Sequence, residues 1–298
     1  MMRILLIILA GFLFGSCRAD NPVPIQDLAA GEFRMTVFEL PFHGVAIVVQ
    51  TPEGPVHIVD CGEKHDGTDA GRDVLAPFLR KLEVDRIASI VVSHPDRDHF
   101  EGAKYLFEHF RVDAFVDTGL GRDDAPKSYH QLLETAAAKS KVLQLRAAGK
   151  LDWGPSLKVE ALAPPLDGIA SAKKDYDNDN SIVLRIQYGK TVILLPGDIE
   201  SAGCASLLAA VPAERLKSTV LVAPHHGFCD SKPLAEAVDA DYVIVSCDDD
   251  YPDKKTRSPG RHATQLFGEQ GARVFITSWN GNVTITSNGQ DCRVESSR

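Results

Sequence analysis

The stretch that constrains this chain most is residues 93–102, with the sequence Ser-His-Pro-Asp-Arg-Asp-His-Phe-Glu-Gly. An apolar run over residues 87–92 directly precedes it and predicts a β-strand. Because a strand that ends in a turn can aim several side chains at one point, the stretch predicts a metal site, and a solvated turn rich in Asp and His is the alternative. The candidate ligands are His94, Asp96, Asp98 and His99. Imidazole nitrogen suits zinc and carboxylate oxygen suits manganese or magnesium, so we expect one or two divalent cations.

Other residues with metal-binding side chains follow predicted strands in both halves of the sequence. Asp60, Asp198 and His225 each lie within three residues of an apolar, β-branched run. If those strands lie side by side, their ends line one edge of the fold and gather distant residues into one site. A single Asp or His at a strand end is usually a capping or turn residue, but their combination with residues 94–99 favours one shared metal site.

The composition indicates an ordinary globular protein. The chain has 298 residues, of which 44% are hydrophobic and 24% charged, which is enough for a sizeable core. Its 32 Lys and Arg against 41 Asp and Glu give a formal net charge of −9, which argues against a broadly basic face for nucleic acid. Part of the acidic excess belongs to the predicted metal site, where cations would neutralise it.

The N-terminus has the features of an export signal. An arginine precedes an apolar run over residues 4–14 that is too short to span a bilayer, and small residues then lead to Cys17. Residues 1–17 resemble a bacterial lipoprotein signal peptide with Cys17 as the lipidated residue; ordinary signal cleavage and an uncleaved anchor are the alternatives. Residues 18–32 are expected to form a tether. We therefore predict an exported, periplasmic or cell-envelope lipoprotein that contacts the membrane only through an N-terminal lipid anchor.

Export would place the remaining cysteines in an oxidising compartment. Five follow Cys17, so at least one of them is unpaired. Cys204 and Cys247 fit buried apolar positions, whereas Cys61 and Cys229 lie beside candidate site residues. None has the Cys-x-x-Cys spacing of a structural zinc site.

The order of elements predicts an α/β fold with one domain over residues 33–298. Each half of the sequence begins with β-branched strands and continues with helix–strand units, so we expect two related halves whose sheets pack face to face with helices outside. Two independent domains are the alternative. Near the C-terminus, residues 274–277 and 283–286 are predicted to pair as a hairpin across residues 279–281.

Four motifs together resemble those of the metallo-β-lactamase fold. Residues 94–99 are similar to its His-x-[His/Asp]-x-Asp-His signature, and residues 59–62 to its early strand-end aspartate. Residues 196–198 are similar to its Gly-Asp, whose carboxylate bridges two metal ions, and residues 224–227 to its last metal-binding histidine. The order and spacing match over residues 33–286. The resemblance implies the four-layer αββα sandwich of that fold.

Further features resemble the soluble metallo-hydrolase domain of ComEC-type competence (DNA-uptake) proteins, which implies a metal-dependent nuclease. Asp96 stands where many superfamily members carry His, and residues 177–181 occupy the place of a histidine-containing loop. No histidine occurs in residues 164–180, so the site is richer in oxygen and manganese competes with zinc. Phe228 departs from the usual Ser after His-His-Gly and removes a hydroxyl that would meet a phosphate oxygen.

The resemblance also implies roles around two divalent metal ions, Zn or Mn. The predicted metal ligands are His94, Asp96, Asp98, His99, Asp198 and His225. One ion is expected at the first two residues and the other at the remaining ligands, with Asp198 bridging the ions and a bridging hydroxide as nucleophile.

The predicted catalytic residues are Asp98, which would orient the hydroxide, and His226. His226 is expected to be a proton donor or a contact to the ligands, and a histidine packed against His225 is the alternative. The predicted substrate-binding residues are Asn180, Ser181 and His262, and Asn178, Asn180 or water would complete one metal shell.

Three functions stay open for this site. A phosphodiesterase or nuclease follows from the ComEC resemblance. A hydrolase of a β-lactam, lactone or thioester would use the same hydroxide, and the net charge of −9 with Phe228 at the cleft fits such a smaller, less anionic substrate. A non-catalytic binding protein on the same scaffold is the third, disfavoured because the ligand set is intact.

Overall fold

The computed structural model describes residues 28–170, 175–248 and 258–298. The predicted signal peptide, Cys17 and most of the predicted tether lie outside the described residues. Among the described residues, no helix combines the length and the apolar character needed to cross a bilayer.

Short strands and helices follow one another along the chain. The strands are β1 (Phe33–Val37), β2 (Ala46–Gln50), β3 (Val56–Cys61), β4 (Lys64–His65), β5 (Thr68–Asp69), β6 (Arg86–Ile87), β7 (Ser89–Val91), β8 (Arg111–Val112), β9 (Ala114–Asp117), β10 (Lys141–Gln144), β11 (Lys150–Leu151), β12 (Leu157–Ala163), β13 (Val183–Tyr188), β14 (Thr191–Leu195), β15 (Val220–Val222), β16 (Tyr242–Val245), β17 (Arg273–Ile276), β18 (Val283–Ser287) and β19 (Cys292–Ser296). The α-helices are α1 (Ala76–Lys81), α2 (Arg97–Phe100), α3 (Ala103–His109), α4 (Lys127–Lys139), α5 (Tyr176–Asp179), α6 (Ser201–Ala210), α7 (Ala213–Leu216), α8 (Lys232–Val238), α9 (Pro259–Gly268) and α10 (Thr277–Asn280). A π-helical turn, Gly71–Leu75, leads into α1, and a 3-10 turn, Pro224–Gly227, follows β15.

Two mixed sheets carry the site. The first has the strand order β10-β9-β7-β3-β2-β1-β18-β19 and the second the order β11-β12-β13-β14-β15-β16-β17. In the first sheet β3, β7, β9 and β10 run parallel, and in the second β14, β15, β16 and β17 do. Because the carboxyl ends of parallel strands meet at one edge of a sheet, the loops after these strands lie side by side.

The core lies in three layers because successive strand residues point to opposite faces of a sheet. Ile47 and Val49 of β2 join Leu184 of β13 in the core between the sheets, whereas Ala46 and Val48 pack under the helices outside the first sheet. The helices cover the outer faces with buried leucines: Leu79, Leu106, Leu132, Leu207, Leu234 and Leu266. The predicted αββα sandwich is confirmed.

The predicted C-terminal hairpin is wrong. β17 pairs with β16 in the second sheet, whereas β18 pairs with β1 and β19 in the first. The helix α10 carries the chain between the sheets, and the side chain of Asn280 accepts a hydrogen bond from the N–H of Ile276 at 2.8 Å. Phe275 and Ile285 both point into the core between the sheets. Alternation of apolar residues therefore showed that both runs are strands, but it did not show that they belong to different sheets.

Candidate metal centre

The turn after β7 is anchored by the buried carboxylate of Asp60, near the end of β3. Asp60 accepts two hydrogen bonds from Ser93, one from the backbone N–H to Oδ1 at 2.7 Å and one from Oγ to Oδ2 at 2.8 Å. The same Oδ2 lies 2.8 Å from Nδ1 of His99. When Nδ1–H donates to Asp60, Nε2 of His99 is directed away from Asp60 as the ligand atom. Asp60 therefore fixes the orientation of a candidate ligand.

Four side chains converge beside this turn: Asp98, His99, Asp198 and His226. Their ligand atoms all lie within 4.8 Å of one another. Oδ2 of Asp198 is 3.3 Å from Nε2 of His99 and 3.2 Å from Nε2 of His226. Oδ2 of Asp98 is 3.1 Å from the same His226 nitrogen. Two imidazole nitrogens and two carboxylate oxygens at this spacing can hold a divalent cation.

A second group, formed by His94 and Asp96, borders the first. Nε2 of His94 lies 3.5 Å from Oδ2 of Asp96 and 4.0 Å from Oδ2 of Asp198. The rings of His94 and His99 are 4.1 Å apart between centroids. The structure therefore brings together all four candidates of residues 94–99, and Oδ2 of Asp198 lies within 4.0 Å of a histidine nitrogen in each group.

Buried polar atoms without a hydrogen-bond partner mark the same place. Among the described residues they include Nε2 of His94, His99 and His226 and Oδ1 of Asp198. A buried polar atom left unsatisfied costs about 1–3 kcal/mol. Divalent cations would satisfy all four atoms, so the donor set fits the metal ions that the sequence motif implies.

The charges of the site are complementary. Burial lowers the pKa of His226, but Asp198 and Asp98 outweigh burial and raise the pKa to about 10. Burial raises the pKa of Asp198, but His99 and His226 outweigh it and lower the pKa well below its usual range. The carboxylates thus keep protons on imidazoles that a cation would displace, and metal binding would release those protons.

The two adjacent histidines, His225 and His226, have the reverse of their predicted arrangement. His225 was the predicted ligand, but it is His226 that lies among the candidate ligands. Both lie in the left-handed backbone region, with φ of 48° and 54°. His226 is buried, its Nδ1 lies 2.8 Å from the carbonyl oxygen of Ser246, and its Nε2 enters the metal group. His225 is part-exposed. Its Nδ1 is hydrogen-bonded to the carboxylate of Glu200, and its Nε2 lies 3.9 Å from Oδ2 of Asp198. His225, the predicted ligand, therefore lies at the rim, and His226 occupies the position of a ligand.

The amide of Asn180 makes three hydrogen bonds to backbone groups. Its Oδ1 accepts a hydrogen bond from the N–H of Ile169 at 2.6 Å. Its Nδ2 donates to the carbonyl oxygens of Ile169 and Tyr176 at 3.1 and 2.8 Å. An amide has two donor hydrogens, so these contacts use both of them. Asn180 therefore closes a loop, and its predicted contact with substrate or metal stays a prediction.

Ser181 and His262 also have other partners. Ser181 Oγ accepts the backbone N–H of Asp198 at 3.1 Å, and a Cβ at Gly197, whose φ is 58°, would lie 2.7 Å from the Ser181 Cβ. Ser181 therefore positions the backbone of Asp198 through this hydrogen bond. His262, in α9, has Nε2 3.3 Å from Oδ1 of Asp230. These contacts give Ser181 a structural role, and the predicted substrate contacts of Ser181 and His262 stay predictions.

His43, in the loop between β1 and β2, is a site residue that the sequence did not indicate. Its ring lies against that of His226, with centroids 3.8 Å apart and the planes tilted by 50°, and its Nε2 is 3.8 Å from Oδ2 of Asp98. Burial, followed by the neighbouring His226, lowers the pKa of His43 to about 3, so the ring is neutral at physiological pH. The next residue, Gly44, allows this approach, because a Cβ there would lie 2.6 Å from the carbonyl oxygen of Asp98, but a single glycine does not identify such a contact from sequence.

Comparison with known proteins places these features in one family. Residues 40–226 match the profile of the Metallo-beta-lactamase superfamily. ComE operon protein 3 of Bacillus subtilis is 25% identical over 223 residues, which cover 74% of this chain and 27% of that protein. Competence protein ComA of Neisseria gonorrhoeae is 27% identical over 179 residues, which cover 59% of this chain and 22% of that protein. The chain thus spans less than a third of the length of these relatives.

Solved structures share the fold at lower sequence identity. The metallo-beta-lactamase fold protein YhfI from Bacillus subtilis superposes with a TM-score of 0.55 and 11% identity, covering 86% of this chain and 100% of that chain. Tm1679, a metal-dependent hydrolase of the beta-lactamase superfamily, superposes with a TM-score of 0.51 and 13% identity, covering 82% of this chain and 95% of that chain. At these identities the likeness shows the fold alone.

Proposed function

Because the chain belongs to the metallo-beta-lactamase superfamily of metal-dependent hydrolases, we propose that it hydrolyses phosphodiester bonds at a site for two divalent cations. The observation that carries the proposal is the position of Asp198, whose Oδ2 lies within 4.0 Å of Nε2 of His94, His99 and His226. One carboxylate between two ligand groups is what a shared dinuclear site requires. Similarity to competence proteins supports the phosphodiester as the bond.

The proposed ligands divide between the two groups. His94 and Asp96 would hold one cation, and Asp98, His99 and His226 the other, with Asp198 between them. When bound, such ions lower the pKa of water and stabilise charge on the attacked phosphoryl group. Three imidazoles and three carboxylates form a mixed donor set, which we propose accepts either Zn²⁺ or Mn²⁺.

The chain's own residues would orient the ligands and move a proton. Nδ1 of His99 is hydrogen-bonded to Asp60, and Nδ1 of His226 to the carbonyl oxygen of Ser246. These contacts fix the orientation of both rings, and so the direction of both Nε2 atoms. His225 lies at the mouth of the site with its Nδ1 on Glu200. Burial lowers the pKa of His225, but Glu200 and Asp198 together outweigh burial and the net shift is upward, which favours the protonated ring of a proton donor. We assign to His225 the delivery of that proton to the leaving oxygen.

An aromatic ring at the rim bears on substrate choice. Phe228 is 37% exposed, and its ring lies 5.7 Å from that of His225 and 6.0 Å from that of His43. A nucleobase next to the scissile phosphate could stack on this face. The same apolar ring favours the second candidate, a hydrolase of a β-lactam, lactone or thioester, because it could equally contact an uncharged acyl substrate.

The test compares substrates on one metal-loaded preparation. The purified chain is stripped with a chelator, reloaded with Zn²⁺ or Mn²⁺, and assayed with bis(p-nitrophenyl) phosphate, single-stranded DNA and nitrocefin, while bound metal is measured by elemental analysis. We expect two metal equivalents and turnover of the phosphodiesters, both lost in Asp198→Asn. Turnover of nitrocefin alone would replace the phosphodiesterase proposal with the second candidate, and no turnover by fully loaded protein would reject hydrolysis of both classes.

We also propose that the chain is exported and lipidated at Cys17. The support is the sequence of residues 1–17 alone. Expression of the full chain in a bacterial host should place it in the membrane fraction, and Cys17→Ser should release it into the soluble periplasmic fraction. Recovery of the unsubstituted chain in the cytoplasm would contradict export.

A further inference from the structure

A pair of cysteine thiols lies beside the loop that carries His225 and His226. Cys204 is in α6 and Cys229 follows the 3-10 turn Pro224–Gly227, so 24 residues separate them along the chain. Their Sγ atoms are nevertheless 3.4 Å apart. Both side chains are buried, with exposed fractions of 2% and 4%.

We propose that Cys204 and Cys229 are a redox pair that closes to a disulfide bond. This proposal does not depend on the proposed hydrolase activity. A disulfide has an S–S length of about 2.04 Å, so the two sulfurs, now 3.4 Å apart, need to approach by about 1.4 Å. Small rotations of two side chains can supply this movement, because each Sγ turns about one Cα–Cβ bond.

The chemistry of the closure is thiol–disulfide exchange with a small disulfide such as oxidised glutathione. The Cys204 thiolate attacks one glutathione sulfur, forms a mixed disulfide and releases one glutathione thiolate. The Cys229 thiolate then attacks the Cys204 sulfur and releases the second glutathione. In total the two cysteines lose two protons and two electrons, and one glutathione disulfide becomes two glutathione thiols.

The local environment favours Cys204 as the attacking thiolate. The hydrogen bond from the Cys229 thiol lowers the pKa of Cys204, whereas the same contact and burial raise the pKa of Cys229. Cys61, by contrast, is buried next to Asp60, and burial, followed by that charge, raises the pKa of its thiol. A thiol held protonated in this way is a poor first attacking group, and Cys204 is the better candidate for that step.

Closure would tie the loop of a candidate ligand to the helix behind it. The segment from Cys204 to Cys229 contains β15 and the turn with His225 and His226, and the residue before α6 is Glu200, which contacts His225. A disulfide restrains the unfolded chain and would hold this loop against α6. We therefore expect oxidation to stabilise the fold and to slow metal release.

The decisive test is peptide mapping of the unsubstituted full chain. The protein is incubated with oxidised or reduced glutathione, its remaining thiols are alkylated after denaturation, and the digest is examined by mass spectrometry. We expect a Cys204–Cys229 cross-linked peptide in the oxidised sample alone. Recovery of both cysteines in alkylated form after oxidation, or their linkage to other cysteines, would overturn the proposal whether or not any variant folds.

Variants add a second readout with a matched control. Cys247 lies in the same core cluster as Cys204 and Cys229, so Cys247→Ser removes a buried thiol from the same core. Oxidation should raise the thermal midpoint by roughly 5 °C or more in the unsubstituted chain and in Cys247→Ser. It should leave the midpoint of Cys204→Ser and Cys229→Ser unchanged. An equal rise in Cys204→Ser would show that another reaction causes the stabilisation.

Discussion

Two buried histidines in this molecule differ in charge, one neutral and one protonated, and the comparison shows which feature identifies a candidate metal ligand. His57, on β3, is 3% exposed, its Nδ1 lies 2.8 Å from the hydroxyl of Ser89, and its ring stacks on Trp153 with centroids 4.3 Å apart. Burial lowers the pKa of His57 to about 3, so this ring is neutral across the physiological range.

His226 is as deeply buried but lies among carboxylates. The oxygens of Asp98 and Asp198 lie 3.1 and 3.2 Å from its Nε2 and raise its pKa to about 10 in spite of burial. Nε2 of His57 and Nε2 of His226 both lack a hydrogen-bond partner among the described residues. An unsatisfied buried nitrogen is therefore not sufficient evidence for a metal ligand; the carboxylates that converge on His226 distinguish the two histidines.

Neutralising Asp198 is expected to have the largest effect, because it removes one of the carboxylates that distinguish His226 from His57. Asp198→Asn keeps the size of the side chain but removes the charge between the two ligand groups. We expect loss of at least one metal equivalent and, because the bound ions would supply both the hydroxide and the charge stabilisation, a fall in phosphodiesterase kcat of about 10²-fold or more. Elemental analysis and bis(p-nitrophenyl) phosphate kinetics measure the two effects.

The matched control for this variant is Asp117→Asn. Asp117 is also a buried carboxylate at a strand end, where it accepts hydrogen bonds from Tyr129 and Arg122 rather than facing the metal group. Asp117→Asn should lose stability but keep both metal equivalents. Equal metal loss in the two variants would mean that general destabilisation, not the site charge, controls metal binding.

The two adjacent histidines offer the next largest effect. Removing a ligand weakens metal binding, whereas removing a proton donor slows turnover without releasing metal. His226→Ala should therefore lower metal affinity by about 100-fold or more, exceeding the usual loss for a residue that only orients a ligand. His225→Ala should keep the metal and lower kcat by about 10²-fold or more. Titration with a competing chelator separates them, and the reverse pattern would restore His225 as the ligand.

A smaller effect is expected where the carboxylate acts through a histidine. Asp60→Asn replaces an acceptor of the His99 Nδ1–H with an amide that can turn its NH₂ group to that nitrogen and so change the tautomer. Metal affinity should fall by about 10- to 100-fold, with the stoichiometry retained at high metal concentration. Unchanged affinity in Asp60→Asn would limit Asp60 to holding the turn through Ser93.

Much of the site could be predicted because its signals are local. Residues 94–99 concentrate four candidate ligands behind one strand, and Asp198 and Asp60 each follow another. The parallel strands then bring these ends to one edge, as the pattern of strands and helices predicted. The periodicity of apolar residues thus predicted the layered fold, and the His and Asp residues that follow the strands predicted most of the site.

What could not be predicted depends on backbone direction and on contacts distant in sequence. Both residues of the pair His225 and His226 have positive φ, and only the folded backbone determines which ring enters the site. His43 reaches Asp98 across 55 positions of sequence, from a loop with no motif. β18 and β17 are both regular apolar strands, and their assignment to different sheets follows from pairing with β1 and β16 rather than from their own residues.

The smallest expected effect tests the neutral histidine. His57 has a folded pKa of about 3 and an ordinary unfolded pKa near 6.5. Between these values the unfolded chain binds a proton that the folded chain does not, so stability falls as pH drops through this window and is unaffected above it. At pH 5.5 the loss from this residue is about 1.4 kcal/mol relative to about pH 7.5.

A substitution that keeps the ring but removes the titration measures this loss. His57→Phe keeps a ring against Trp153, so its free energy of unfolding, measured with urea, should change less between these pH values than that of the unsubstituted chain, even if its stability at neutral pH is lower. The exposed His130 provides the control, and His130→Gln should retain the full pH dependence. If His57→Phe shows the same pH dependence as His130→Gln, then burial does not keep His57 neutral. The proposed difference in charge state between His57 and His226 would then be wrong.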